Sequence, residues 1–160
     1  MILRHAKAAR PAGVADADRP LTDRGHADAA AAGAWLASRG YAPDLVLCSP
    51  ARRTRQTWHG VAVALAGVRA PEVRYEPGLY DDGIGEVLDL LKGVPDEVGT
   101  ALLIGHNPTV SALSTMLDRT GVRDAEGLRT SGIAVHARDG DWSTWAPGNA
   151  RLITTGTPRA

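Results

Sequence analysis

The sequence predicts an α/β fold in three layers (α/β/α), with a mostly parallel central sheet, helices on both of its faces and an antiparallel edge hairpin. Continuous apolar runs such as Leu45–Leu47 are typical of short strands that are buried on both faces. These runs alternate with segments of helical spacing, and the alternation indicates parallel strands joined by helices. The pair Asp139-Gly140, which lies between two apolar segments, is a strong signal for the hairpin.

The N-terminal part of the chain is expected to form a strand, a loop and a long helix. Ile2 and Leu3 end the first buried strand, and residues 8–19, rich in Ala, Pro, Gly and Asp, form a loop over its end. Thr22 is a good N-cap and Gly40 a good C-terminal stop, so the helix is expected to run to about Arg39. Its predicted inner face, made mostly of small side chains, consists of Ala27, Ala30, Ala31, Ala34 and Leu36.

The rest of the chain continues the alternation of strands and helices. Ser49 as N-cap with Pro50 at the first helical position predicts a helix that runs to about Leu65. The remaining expected strands are 73–75, 101–104, 133–137, 142–145 and 152–153, with the hairpin joining 133–137 to 142–145. The remaining expected helices are 84–91 and 108–117, and the expected irregular segments are 76–85 and 119–129.

Composition narrows the class of protein. A chain of 160 residues suits one domain with a real hydrophobic core, and we expect residues 1–160 to form it. Lysine plus arginine, 18, equals aspartate plus glutamate, 18, which argues against a nucleic-acid or membrane-surface binder. The single cysteine excludes an internal disulfide and a cysteine-rich zinc site. Because the chain also starts without an apolar leader segment, we expect a cytoplasmic protein; its oligomeric state is left open.

Polar side chains follow three of the predicted strands at the point where each strand ends. Arg4 and His5 follow the first strand, Ser49 and Arg53 follow Leu45–Leu47, and His106 follows residues 101–104. Because the carboxyl ends of parallel strands meet at one edge of a sheet, these side chains are expected to converge on one pocket. Two histidines and at least two guanidinium groups suit a phosphoryl group, whose oxygens need fixed positive charge and hydrogen-bond donors.

The residue types also suit phosphoryl transfer. Arginine binds phosphate with two parallel hydrogen bonds, and a neutral imidazole such as that of His5 is a fair nucleophile toward phosphorus. His106 has two open roles: to stay protonated and hold an oxygen, or to donate through a ring N–H. A general acid is needed for most leaving groups, and the candidates near the third strand are Glu76, Asp81 and Asp82.

Four motifs along the chain resemble those of the histidine phosphatase superfamily, and most of all its small SixA-type phosphohistidine phosphatases. The motifs are Leu3-Arg4-His5-Ala6-Lys7, the run from Asp18 to Gly25, the run from Ser49 to Thr57, and Gly105-His106-Asn107-Pro108. They occur in the family's order. The resemblance implies a phosphoglycerate-mutase-like fold and a reaction that needs neither metal nor other cofactor.

The resemblance also implies roles for individual residues. His5 matches the family's nucleophile, and Arg4, Arg53 and His106 match its phosphate clamp. Asp81 falls where many relatives place an acidic proton donor, although the small branch does not always keep one. Asn107 and Ser49, which lie in the same motifs, complete the predicted phosphate-binding set; for Ser49 the competing interpretation is a helix cap. The implied substrate is a phosphorylated protein or a small phosphorylated metabolite.

Other classes of function make different demands on the sequence. A cysteine phosphatase needs an arginine after five intervening residues, and Thr54 stands at that distance from Cys48. A phosphate-binding or protein-interaction module without activity is the alternative from another class of function. Asp18 and Arg19 are expected to hold the loop rather than to touch substrate. His26, His59 and His136 are expected at the surface.

The start of the chain bears on the first strand. Only Met1, Ile2 and Leu3 precede Arg4, so we expect a short first strand. The sequence leaves open whether the N-terminus is complete.

Overall fold

The computed structural model describes residues 1–67, 70–118, 126–137 and 139–160. Its strands are β1 (Ile2–Arg4), β2 (Leu45–Cys48), β3 (Glu72–Tyr75), β4 (Ala101–Gly105), β5 (Ile133–Ala137) and β6 (Arg151–Gly156). Its helices are α1 (Asp23–Ser38), α2 (Arg52–Ala64), α3 (Gly78–Asp81), α4 (Ile84–Lys92) and α5 (Thr109–Leu117), with 3-10 turns at Asp16–Asp18 and Trp142–Thr144. The expected irregular segment 119–129 lies partly outside the described residues.

The described residues form a six-stranded mixed sheet in the order β3-β2-β4-β1-β5-β6. The first four of these strands are parallel, whereas β5 and β6 are antiparallel to their neighbours. Arg4 pairs with Gly105, and Cys48 pairs with Ile104, so β1, β4 and β2 end at the same edge. The predicted fold class is therefore confirmed, and the three strand ends that carry the motifs are adjacent.

The antiparallel edge exists, but the predicted hairpin partner is wrong. β5 pairs with Arg151–Gly156, an extension of the short strand expected at 152–153. The segment expected as its partner forms the 3-10 turn Trp142–Thr144 instead. Trp142 stacks on Trp145 with ring centroids 4.7 Å apart, and its indole N–H donates to the carbonyl of Val98 at 2.6 Å. Trp145 is buried and Trp142 is partly buried in the same hydrophobic core cluster, so the packing of these two aromatic side chains overrides the pairing signal of the Asp-Gly turn.

Two hydrophobic clusters lie on the two faces of the sheet. One contains Leu36 of α1 and Val61 of α2, and the other contains Leu91 of α4 and Leu113 of α5. No helix among the described residues has the length and apolar character to cross a bilayer.

The inner face of α1 differs from the expected one. Its buried residues are Gly25, Asp28, Ala29, Ala32, Gly33 and Leu36, whereas Ala27, Ala30 and Ala34 are exposed. The helix is rotated because it packs against α2 as well as the sheet: a Cβ on Gly33 would lie 2.7 Å from the carbonyl oxygen of Val61.

Candidate active site

His5 lies directly after β1, in a turn that fixes both its backbone and its ring. Its N–H donates to Gly105 at 3.1 Å, and the N–H of Ala6 donates to Thr57 Oγ1 at 3.0 Å. His5 Nδ1 lies 2.7 Å from the carbonyl oxygen of Ala6. A carbonyl oxygen only accepts, so Nδ1 carries the proton and Nε2 carries the lone pair. Burial, above all, and then Arg53 and Arg4 lower the pKa of His5 to about 4, so the ring is neutral at pH 7.

Thr22 and Gly25, in the second of the four motifs, contact the turn that carries His5. The backbone N–H and hydroxyl of Thr22 both donate to the carbonyl of Lys7, at 2.9 and 3.2 Å. Thr22 also caps α1 as predicted, since its Oγ1 accepts from the N–H of Gly25 at 3.0 Å. A Cβ on Gly25 would lie 2.2 Å from the carbonyl oxygen of Lys7, so only glycine lets α1 approach the turn this closely.

His106 follows β4, and its ring centroid is 5.0 Å from that of His5. The guanidinium Nε–H of Arg53 donates to His106 Nδ1 at 3.3 Å. The ring therefore carries its proton on Nε2, which donates to Ser49 Oγ at 2.8 Å. Burial, then the nearby His5 and Arg53, lower the pKa of His106 to about 3. Of the two roles left open by the sequence, the neutral ring that donates through an N–H fits this geometry.

Ser49 is fully buried and orients His106. Its Oγ accepts from His106 and, at 3.4 Å, from the N–H of Ala51. α2 begins at Arg52 with Ala51 as N-cap, later than the Ser49-Pro50 signal predicts, and no side chain caps it. The carbonyl of Ser49 is taken by the hydroxyl of Thr54 at 2.7 Å, so the segment forms a separate turn before the helix.

Arg53 projects from the first turn of α2 and is only 6% exposed. Its Nη1 donates to the backbone carbonyl of Asp16 at 2.6 Å, and its Nη2 donates to Asp16 Oδ2 at 2.9 Å. The hydroxyl of Tyr80 donates to the same Oδ2 at 2.8 Å, and Arg19 Nη1 donates to Oδ1 at 2.7 Å. Arg19, Tyr80 and Arg53, in that order, hold the pKa of Asp16 well below its usual range. Arg19 also binds the carbonyl of Ala9 at 2.9 Å, in keeping with its expected role of holding the loop.

Arg4 and Asn107 meet at the carbonyl of Leu128. Arg4 Nη1 donates to it at 2.9 Å and Asn107 Nδ2 donates to it at 3.0 Å. Asn107 Oδ1 accepts from Ser111 at 2.6 Å, so both ends of this amide are used in holding the segment around Leu128. Arg4 Nε is buried and has no hydrogen-bond partner within the described residues. Burial lowers the pKa of the Arg4 guanidinium.

The acidic candidates after β3 are placed differently from the histidines. Asp81 and Asp82 are exposed, and among the described residues neither side chain hydrogen-bonds to His5 or His106. The short helix α3, in a segment expected to be irregular, instead turns Tyr80 toward the site, with its ring edge-on to His106 at 5.5 Å between centroids. Asp16 and Tyr80 are thus the site residues that sequence reasoning missed. The Asp16-Ala17-Asp18-Arg19 run was the available signal for the first of them.

The remaining histidines and the cysteine lie outside the site. His26 and His59 are exposed as expected. The expectation for His136 is wrong: it is buried, its Nδ1–H donates to Ala150 at 3.3 Å, and it accepts from Ser114 at 2.9 Å. Cys48 is buried, and burial raises the pKa of its thiol to about 12, which does not suit a nucleophile. Within the described ranges, no group of three or more His, Cys, Asp or Glu side chains could hold a metal ion.

Comparison with known proteins identifies the family. The model of branch 1 of the histidine phosphatase superfamily matches residues 1–92, and the chain belongs to this superfamily. An uncharacterised protein of Mycobacterium tuberculosis (strain H37Rv) is 43% identical over 164 residues, which cover 98% of this chain and 100% of that protein.

Solved structures agree with this assignment. A candidate phosphohistidine phosphatase SixA from Nakamurella multipartitia is 34% identical, with a TM-score of 0.82 over 99% of this chain and 96% of that one. The protein histidine phosphatase SixA in complex with tungstate is 30% identical, with a TM-score of 0.80 over 98% of this chain and 95% of that one. The predicted resemblance to the SixA branch is therefore confirmed.

Proposed function

We propose that this protein is a phosphohydrolase that works without a metal ion, through a phosphohistidine intermediate on His5. One observation carries the proposal: the Ala6 carbonyl accepts a hydrogen bond from the Nδ1–H of His5, so the lone pair of the ring is on Nε2. This nitrogen belongs to a buried ring beside Arg53 and Arg4. Histidine phosphatase motifs and SixA-like neighbours support a phosphatase. Residues 1–160 act as one domain in this proposal, and a cytoplasmic location stays a prediction.

In the first step, His5 Nε2 attacks phosphorus opposite the leaving group. The Nε2–P bond forms, the bond between phosphorus and the leaving group breaks, and the leaving group keeps that electron pair. Arg4 and Arg53 balance the charge of the phosphoryl oxygens, and the Nε2–H of His106 exchanges its hydrogen bond to Ser49 for one to a phosphoryl oxygen. The Nδ1–H of His5 stays hydrogen-bonded to the Ala6 carbonyl, and this bond stabilises the positive ring of the intermediate.

In the second step, a water molecule attacks the same phosphorus from the vacated side. The Nε2–P bond breaks, its electron pair returns to Nε2, and the water releases a proton to solvent as inorganic phosphate forms. Because Nδ1 never loses its proton, His5 returns directly to its starting tautomer. Fixed geometry and electrostatics account for the catalysis.

The favoured substrate is a phosphohistidine on a protein. Its leaving group is an imidazole whose other ring nitrogen carries a proton, so it departs neutral and needs little help from an acid. The exposed position of Asp81 and Asp82 supports such a substrate, as does the similarity to SixA phosphohistidine phosphatases. Small phosphomonoesters are the runner-up, since they would need Asp81 or another acid as proton donor. A module that binds phosphate without turnover is the alternative of a different class.

The test is phosphate release from a phosphohistidine peptide and from p-nitrophenyl phosphate, both with EDTA present. Wild type, His5→Ala and the exposed-histidine control His59→Ala are compared. We expect turnover that EDTA spares, that His5→Ala abolishes and that His59→Ala retains, with the peptide preferred. Preference for p-nitrophenyl phosphate would favour the small-ester alternative, and folded wild type without turnover of either substrate would favour the binding module.

A further inference from the structure

Asp16 Oδ2 lies where two hydrogen-bond donors converge, an arrangement that suits the oxygen of an oxyanion. Asp16 Oδ2 accepts from Arg53 Nη2 at 2.9 Å and from the Tyr80 hydroxyl at 2.8 Å. The donors come from α2 and α3, far apart in sequence, yet they converge on this oxygen next to His106, whose centroid is 5.5 Å from that of Tyr80. A charged guanidinium and a phenol that share one anionic oxygen are a typical arrangement for holding a phosphoryl oxygen.

The guanidinium nitrogens of Arg53 already donate hydrogen bonds within the protein, so they cannot bind phosphate with two parallel hydrogen bonds until those contacts change. Its Nε, Nη1 and Nη2 donate to His106, to the Asp16 carbonyl and to the Asp16 carboxylate, respectively. The side chain is also nearly inaccessible, at 6% exposure, because the loop around Asp16 lies over it. A phosphoryl group on His5 therefore reaches Arg53 only after the Asp16 carboxylate has moved away.

We propose that the Asp16 carboxylate competes with the phosphoryl group for the donors of Arg53 and Tyr80. When the substrate displaces Asp16, the Tyr80 hydroxyl binds a phosphoryl oxygen instead. The inference rests on the proposed function, since it assigns two further residues to the same site. The ligand class is a tetrahedral oxyanion with at least two negative charges, which binds the donors in place of a single carboxylate.

The surroundings of Asp16 are consistent with such an exchange. Its side chain is 54% exposed, and it lies on a one-turn 3-10 segment, so it has room to swing into solvent. Arg19 holds Oδ1 and is itself tied to the Ala9 carbonyl, which gives the displaced carboxylate a partner outside the clamp. Repulsion between the carboxylate and an incoming dianion favours this outward position.

The test is the dissociation constant of inorganic phosphate, measured by calorimetry on the full chain. Asp16→Asn removes the charge of the competitor, and Asp18→Asn is the matched control because Asp18 is an exposed aspartate of the same turn. We expect Asp16→Asn to tighten phosphate binding about three- to tenfold, because phosphate no longer has to displace a charged carboxylate from Arg53 and Tyr80. Asp18→Asn should leave binding within about twofold, since surface changes away from the site are small.

Tyr80→Phe tests the second half of the proposal. The change is made in the Asp16→Asn background, where Tyr80 no longer stabilises a charged competitor, and loss of the hydroxyl should then weaken phosphate binding about tenfold, the typical effect of one hydrogen bond to a charged group. Tyr75→Phe, at an exposed tyrosine in β3, is the control and should be neutral. Weaker binding in Asp16→Asn would overturn the proposal, because it would mean that Asp16 orients Arg53 instead. Unchanged binding in Tyr80→Phe would overturn the role of Tyr80.

A crystal structure with tungstate gives a readout that does not depend on folding stability. We expect a tungstate oxygen within hydrogen-bond distance of Arg53 and Tyr80, with the Asp16 carboxylate displaced; tungstate bound while Asp16 still contacts Arg53 would contradict the proposal. The turnover assay distinguishes a failure of the proposed function from a failure of this inference. Phosphate affinities that follow this pattern without turnover would overturn the proposed function alone, and turnover with the opposite pattern would overturn this inference alone.

Discussion

At the scale of single residues, the chemistry of the site depends on which nitrogen of each histidine carries the proton. For His5 the Ala6 carbonyl decides this, and for His106 the Nε–H of Arg53 decides it. Both rings are neutral because burial disfavours the charged form and the neighbouring arginines repel it. A neutral ring is the state that the proposed nucleophilic role of His5 requires, so the same burial that costs stability suits that role.

The low pKa of His5 predicts how its ring titrates. The folded-state pKa of about 4 lies below the ordinary 6.5, so the ring stays neutral as pH falls from 7 to 5 and gains its proton only near pH 4. Between those values the unfolded chain binds a proton that the folded chain refuses, so this histidine lowers stability as pH falls below 6.5. NMR titration of the His5 ring should give a midpoint near 4.

His106→Gln provides the control for that titration. The ring of His106 lies beside that of His5, tilted by 55°, but burial is the largest cause of the His5 shift, so the midpoint should remain well below 6.5 in the variant. A midpoint at the ordinary value in the folded wild type would contradict the buried, neutral nucleophile.

At the scale of elements, the first turn after β1 is made by contacts from α1 and α2. Thr57 of α2 binds the N–H of Ala6, and Gly25 of α1 lies against the carbonyl of Lys7. The motif residues around Thr22 and Thr57 thus act on His5 through the backbone rather than by touching substrate.

A pair of glycine substitutions tests this packing. Gly25→Ala places a Cβ 2.2 Å from the Lys7 carbonyl, a distance that neither backbone can accommodate without moving. We expect a loss of about 1–3 kcal/mol in the free energy of unfolding, typical of overpacking, together with lower turnover as the His5 turn shifts. Urea unfolding and phosphate release from p-nitrophenyl phosphate would measure the two effects.

Gly85→Ala is the matched control. Gly85 lies in α4, and a Cβ there would meet nothing within 4 Å. Alanine is the better helix former, so this change should stabilise the protein by about 0.5–1 kcal/mol without altering turnover. Equal effects of the two substitutions would rule out close packing at Gly25 as the cause.

At the scale of the whole molecule, the C-terminal segment is tied to the N-terminal half. Arg159 Nη1 donates to Asp28 Oδ2 and to the carbonyl of Thr130, both at 2.9 Å, and the N–H of Ala160 donates to Asp28 Oδ1 at 3.3 Å. Asp28 is 1% exposed, so its carboxylate depends on these donors. The last residues are therefore held against α1 by hydrogen bonds to a buried carboxylate.

Removing this tie should destabilise the fold. Arg159→Ala leaves the buried Asp28 carboxylate with the N–H of Ala160, at 3.3 Å, and the more distant Arg24, at 3.7 Å, and we expect a loss of about 1–3 kcal/mol in the free energy of unfolding. Arg151→Ala, at an exposed arginine of β6, is the control and should change the free energy of unfolding by less than about 0.5 kcal/mol. Equal, small losses in urea unfolding of both variants would show that the Asp28 contact contributes little.

The sequence by itself determined the fold class, the order of the motifs and the strand ends that bear His5, Arg53 and His106. These features are local: a continuous apolar run fixes a buried strand, and parallel strands must end at a common edge. The cap at Thr22 and the stop near Gly40 were predictable for the same reason, since capping involves only neighbouring residues.

Only the tertiary structure decided which other side chains complete the site and which strand closes the sheet. Tyr80 rather than Asp81 faces His106 because α3 turns one side chain inward and the next to solvent, and Asp16 reaches Arg53 only because its loop folds back over α2. Trp142 left the predicted hairpin to stack on Trp145. Each of these outcomes depends on contacts between residues distant in sequence, and local patterns carry no information about such contacts.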